Sequence, residues 1–173
     1  IPPRPKLSDE QLHRRWEPVV LSAEKTALDR LPALAVELGV SVDSLRALHV
    51  GYSDSLGGWT FPERNPKGLY LGINRRLVAP KDGRGKLCAR GSRRGLTYAD
   101  RWDRYPGPVF LVEGGSDVAA GITLGLCVIG RPSNVGGVRM LAELLAEYPR
   151  RPIVVVGERD RKEALYVLQS NPA

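Results

Sequence analysis

The chain is poor in cysteine, methionine and phenylalanine, with two, one and two of them in 173 residues. Cys88 and Cys127 stand far apart, and no C-x-x-C pair occurs. That excludes a zinc ribbon within the chain and a disulfide scaffold, and it fits a reducing cytoplasm. No apolar run approaches the ~18 residues that a membrane-spanning helix needs, so no membrane partner is expected. The start at Ile1 has neither a signal-peptide shape nor an initiator Met, as in a piece of something longer. Internal repeats are absent, and the N-terminal prolines are the only biased tract. What the chain has in excess is positive charge: 26 Lys and Arg against 19 Asp and Glu, a net +7. Such a surplus favours a polyanionic partner, of which nucleic acid is the commonest. Hydrophobic residues at 42% suffice for a real core and exclude wholesale disorder.

Prolines at 2, 3 and 5 make the opening an extended linker. Ser8 with Gln11 has capping-box spacing and predicts a helix running toward Trp16. Leu31 to Leu38, ended by Gly39, predicts a second helix, and a third begins at the cap Ser41 and runs to Leu48. This pair has the outline of a helix-turn-helix but no basic recognition face, which assigns it to packing. From Gly51 the texture changes to strand-like runs, Trp59–Phe61, Leu69–Ile73 and Arg76–Ala79, with turn signals between them. A small antiparallel unit ending near Tyr98 follows from these, and Pro106-Gly107-Pro108 marks a boundary. Beyond it strands Val109–Val112, Cys127–Ile129 and Ile153–Val156 alternate with helices at Ser116–Leu124, Val138–Tyr148 and Ala164–Leu168. Continuous β-branched runs between helices predict a parallel sheet covered on both faces. The expected class is α/β, divided into a linker and N-terminal helical segment (1–36), a small basic α+β unit (37–106) and the parallel unit (107–173).

The informative feature is where the acids fall. Glu113 follows the first parallel strand, and Glu158 and Asp160 follow the third. Strand carboxyl ends form the ligand crevice of an open parallel sheet. Carboxylates gathered there repel one another unless a cation joins them, and magnesium prefers such hard oxygen donors. Acids after strands also serve as ordinary helix caps, and Asp117 fits that role. Gly114 and Gly115 behind Glu113, with a second acidic strand end, favour the metal reading. Three rival motifs fail. Gly114, Gly115 and Gly121 lack the G-x-G-x-x-G spacing of a dinucleotide fold, Ser116 is followed by Asp117 and Val118 where a nucleophile elbow needs x-Gly, and there is no P-loop.

Val112-Glu113-Gly114-Gly115-Ser116-Asp117 with Ala119-Ala120-Gly121 resembles the first motif of the Toprim domain. Val154-Val155-Val156-Gly157-Glu158-Arg159-Asp160 resembles its second, the D-x-D motif. The upstream stretch of Trp59-Thr60-Phe61-Pro62, Gly72-Ile73-Asn74-Arg75-Arg76, Lys86 and Gly91-Ser92-Arg93-Arg94-Gly95-Leu96 is similar to the small basic subdomain that precedes Toprim in bacterial and phage primases. Topoisomerases and Toprim nucleases do not share that prefix. Two departures stand out: Glu158 replaces the first Asp of D-x-D, and the glycine usual after the motif is missing. A Toprim domain also normally continues beyond the point where this chain stops, which reads as truncation.

The resemblance implies a Toprim-like parallel sheet flanked by helices and the activity of a DNA primase, a nucleotidyltransferase making RNA primers on a single-stranded DNA template. It implies that Glu113, Glu158 and Asp160, with Asp117, hold magnesium or manganese, and that ribonucleoside triphosphates and a replicative helicase are partners. Arg75, Arg76, Lys86, Arg90, Arg93 and Arg94 crowd a stretch with few acids, which suits a track for template and triphosphate phosphates. Alternatives are a Toprim-type nuclease and a non-catalytic nucleic-acid-binding module. Trp59, Phe61 and Tyr70 are assigned to the core rather than to base stacking, and His13 and His49 to structural or surface roles.

Overall fold

A computed structural model describes residues 6–81, 83–133 and 136–157. Helix α1 (Asp9–Ala27) starts at the predicted capping box: Gln11 N donates to Ser8 Oγ at 3.2 Å, and Ser8 N to Gln11 Oε1 at 2.8 Å. It continues past Trp16 and through Pro18. A mid-helix proline removes one backbone bond, but Leu12, Trp16, Val20, Ala23 and Ala27 are buried along one face on both sides of it. That tertiary burial outweighs the local penalty. Helix α2 (Leu31–Leu38) ends where Gly39 turns left-handed at φ 67°, and α3 (Val42–Ala47) begins at the Ser41 cap.

Four strands follow: β1 (Gly51–Ser53), β2 (Gly58–Arg64), β3 (Tyr70–Lys81) and β4 (Arg84–Cys88), paired antiparallel in that order. The two runs expected at Leu69–Ile73 and Arg76–Ala79 are one strand, β3. Asn74 and Arg75 do not interrupt it because β2 and β4 hold it by ladders on both sides. One face of this sheet, through Tyr70, Leu71 and Ile73, packs on Leu12, Trp16 and Val20 of α1. Trp59 and Phe61 lie in a second cluster with Leu31, Leu34 and Leu45 of α2 and α3. All three aromatics, Trp59, Phe61 and Tyr70, are core residues, and the helix pair is a packing element, as expected.

The second sheet contains β5 (Val109–Glu113), β6 (Cys127–Arg131) and β7 (Ile153–Val155), all parallel, in the order β6-β5-β7. Helices α4 (Gly115–Thr123) and α5 (Val138–Leu145) complete it. Alternation along β5 sends Val109 and Leu111 toward Leu144 of α5, while Val112 joins Val118 and Ile122 of α4. Strands β5 and β6 are therefore covered on both faces. Strand β7 departs from the expectation, since Ile153, Val154 and Val155 are all exposed at this edge of the sheet. The helix expected at Ala164–Leu168 lies outside the described residues.

The two sheets share a core. Val112, Val118, Ala119 and Val128 of the parallel unit are in one cluster with Trp59 and Phe61. The segment at Leu96–Thr97 stitches them further, bridging Arg64 of β2 on one side and Gly130 of β6 on the other. Among the described residues no helix is long and apolar enough to cross a membrane.

Candidate active site

Glu113 is the last residue of β5, the middle strand, and its register partner on β6 is Arg131. On the other side β7 runs parallel, pairing Val109 with Ile153 and Leu111 with Val155, and Val156 N donates to Leu111 O at 2.9 Å. Carrying that register forward sets Gly157 level with Glu113. Glu158 and Asp160 lie outside the described residues, which end at Gly157. Among the described residues no three His, Cys, Asp or Glu side chains form a group able to hold a metal ion.

Behind Glu113 the chain reverses at Gly114, whose φ of 92° a side chain would strain. Gly115 follows for a different reason. A Cβ there would lie 2.6 Å from the Phe61 ring, so the glycine lets β2 wedge against the start of α4. Helix α4 opens without a side-chain cap, and its first-turn amides accompany Ser116 and an exposed Asp117. Lys86, on β4, reaches across from the other sheet: its Nζ lies 3.4 Å from Ser116 Oγ. A narrow crevice runs beneath this contact, lined by Phe61, Asn74, Arg75, Arg76, Lys86 and the turn at Gly114, Gly115 and Ser116. It continues outward as a groove of about 710 Å³ between α2 and the β3–β4 edge.

The six predicted cations divide by their partners. Arg76 and Lys86 are register partners on β3 and β4, and both line the groove. Arg75, the next residue along β3, donates from Nη1 to the Leu56 carbonyl at 2.9 Å. Arg93 is committed to Asp9 and the Leu7 carbonyl near the start of α1, and the Arg90 carbonyl accepts from Arg15 Nη2 at 3.3 Å. Arg94 donates a bifurcated hydrogen bond to Glu63, with Nε 3.1 and 2.9 Å from the two carboxylate oxygens, and its Nη2 donates to Pro132 O at 2.7 Å. Partial burial is the largest influence on Arg94 and disfavours its charge, but the Glu63 hydrogen bond and the Glu63 charge, with Glu113 adding to the same direction, together raise its pKa. A spacing-based reading groups these arginines because strand alternation and tertiary pairing are invisible to it.

Sequence reasoning missed four residues. Glu63 is 3% exposed and also accepts from Gly95 N at 2.9 Å, so it anchors the Arg94 segment. Its signal was an acid in a strand that is buried throughout, which needs a partner there. Asn74 and Ser116 line the crevice, and Glu37 of α2 lines the groove. Nothing local to Glu37 marks it; only the packing of α2 brings it there. His49 is structural, with Nδ1 2.8 Å from Glu24 Oε1 and Nε2 3.0 Å from Asp100 Oδ2. His13 is structural too, its Nδ1 accepting from Tyr70 N at 3.2 Å.

No family model and no curated protein matches the sequence. Solved structures do. A DnaG primase catalytic domain bound to single-stranded DNA aligns with a TM-score of 0.66 at 14% identity, over 92% of this chain and 66% of that one. The zinc-binding and RNA polymerase domains of the Aquifex aeolicus primase align at 0.65 and 16%, over 94% and 52%. The RNA polymerase domain of Mycobacterium tuberculosis primase DnaG, in complex with a double-stranded DNA oligomer with a 6-nucleotide overhang, aligns at 0.67 and 14%, over 97% and 70%. The chain thus spans 66% of the length of the DnaG catalytic core. At these identities the likeness is one of fold: a parallel sheet flanked by helices behind a small antiparallel one, the architecture of the DnaG primase catalytic core.

Proposed function

We propose that this chain is the catalytic core of a DNA primase, which makes RNA primers on single-stranded DNA by magnesium-dependent nucleotidyl transfer. The observation that carries the reading is the parallel register of β5 and β7, which brings Gly157 level with Glu113 at one edge of the sheet. In this reading residues 1–36 lead into the core, 37–106 are its small basic subdomain and 107–173 its Toprim domain.

The donors suit a hard cation in kind. Glu113 ends the central strand beside a glycine turn that leaves room for a ligand, and Asp117 sits in the first turn of α4. Together with Glu158 and Asp160 they would hold magnesium or manganese, which when bound supplies Lewis-acid stabilisation to phosphoryl oxygens. The chain's own cations handle phosphate: Lys86 and Arg76 line the entrance, and the first-turn amides of α4 point their dipole the same way. The reaction joins a 3′-hydroxyl to the α-phosphorus of a ribonucleoside triphosphate and releases pyrophosphate. A replicative helicase completes the partners of this reading.

A template-directed primer-synthesis assay tests it, with ribonucleoside triphosphates, single-stranded DNA and magnesium. The expected result is short RNA products, abolished in Glu113→Gln and in Asp160→Asn. Normal products from both variants, or DNA cleavage without any synthesis, would overturn it.

A further inference from the structure

Arg76 Nη2 lies 2.6 Å from Glu37 Oε1 across the mouth of the 710 Å³ groove. The two residues belong to different layers, Arg76 to the middle of β3 and Glu37 to the last turn of α2. Alternation along β3 sets Arg76, Val78 and Pro80 on the groove face, and Trp59 and Lys86 are among the other residues that line it. Lys86 stands beside Arg76 as its register partner. Two cations and one acid therefore meet at the edge of a cavity with an apolar wall.

This pair differs in kind from the other Arg–Glu pair among the described residues. Glu63 is buried, takes Arg94 on both oxygens and also accepts from a backbone amide, so it builds structure. Glu37 is 55% exposed, Arg76 is 31% exposed, and a single contact joins them. Exposed single-contact pairs hold weakly and yield to a better anion. A phosphate is one, because its oxygens match the guanidinium fork and it would also meet the neighbouring Lys86.

We propose that Glu37 is an internal stand-in for phosphate: it holds Arg76 in the free protein and is displaced when a phosphate-bearing ligand enters the groove. Glu37 thereby weakens binding and keeps Arg76 in the rotamer that the ligand needs. The ligand's phosphate belongs either to a nucleic-acid strand or to a nucleoside triphosphate. This inference rests on the reading of the cleft as the phosphate-handling site of a primase core.

The test measures binding of fluorescent oligo(dT) and of magnesium ATP to wild type, Glu37→Gln, Arg76→Gln, the double variant and Asp43→Asn. Asp43, on neighbouring α3 and 91% exposed, controls for net charge. Neutralising Glu37 should tighten one ligand ~3–10-fold at low ionic strength, the range that loss of a weak competing ion pair allows, and the gain should shrink with salt. The ligand that tightens identifies the source of the phosphate. In the Arg76→Gln background the Glu37 change should have no effect. Unchanged affinity for both ligands in Glu37→Gln overturns the inference, as does an equal gain in Asp43→Asn or a gain that survives without Arg76. Wild type binding neither ligand would remove the primase reading along with it. Binding that Glu37→Gln leaves unchanged removes the inference alone.

Discussion

Lys86 of β4 crosses from the antiparallel sheet to the first turn of α4, its ammonium 3.4 Å from the Ser116 hydroxyl. The contact is long for a charged hydrogen bond, so Lys86 is available to a phosphate lodged between it and the helix amides. Replacing it with Gln should lower primer synthesis by ~10–100-fold, the range for one lost hydrogen bond to a charged group. Ser116→Ala should lower it far less. Initial rates at saturating template, with unchanged thermal melting, check both.

Glu113 ends the central strand without serving the core, so its loss should spare the fold. In wild type, magnesium at millimolar concentration should raise the melting temperature by binding the native state. Glu113→Gln should melt at the wild-type temperature without magnesium and show no rise with it. Scanning calorimetry across a magnesium series separates a lost ligand from a damaged fold. An equal rise in the variant would remove Glu113 from the metal site.

Gly115 is pinned by Phe61. A methyl group at 115 would meet the ring at 2.6 Å, and backbone or ring must shift. Gly115→Ala should destabilise the protein by about 1–3 kcal/mol, the usual range for overpacking. Phe61→Leu in the same chain should recover part of that loss by vacating the ring edge. Urea midpoints of the two single variants and the double variant give the coupling.

His49 brings a pH dependence of known sign. Its ring lies between Glu24 and Asp100, and the Glu24 hydrogen bond raises its pKa above 6.5 against the opposing effects of burial and the Arg64 charge. The imidazolium is therefore favoured in the folded state. That stability is fully present below pH 6.5 and is lost as pH rises through the higher folded-state value. Asp100 acts elsewhere. Burial raises its pKa, the Arg64 hydrogen bond and charge lower it further, and the net fall means its contribution is lost only in acid. Unfolding midpoints should thus decline as pH rises above about 6.5, and His49→Asn should flatten the slope while tolerating the left-handed φ of 56°.

Local chemistry was legible in the residues. The Ser8–Gln11 box, Gly39 and Ser41 set helix ends through backbone bonds made within a few positions, and the structure has each of them. The β-branched runs of β5 and β6 announced buried parallel strands because both of their faces meet apolar partners. Glu113 at a strand end was readable for the same reason, since strand and loop are contiguous. The pairing within the basic cluster was not legible. Its six members lie close in sequence, yet Arg75, Arg93 and Arg94 are bound by Leu56, Asp9 and Glu63, partners that only the packed chain supplies.

Periodicity and capping by themselves marked the helices, most strands and where the acids stand along them, because those depend on neighbours in the chain, whereas the continuity of β3 needed its flanking strands. The tertiary structure alone decided that Lys86 faces Ser116, that Phe61 requires a glycine at 115 and that Glu37 holds Arg76. Each of those joins residues about 30 or more positions apart, and such contacts exist only once two sheets and the helices between them share a core.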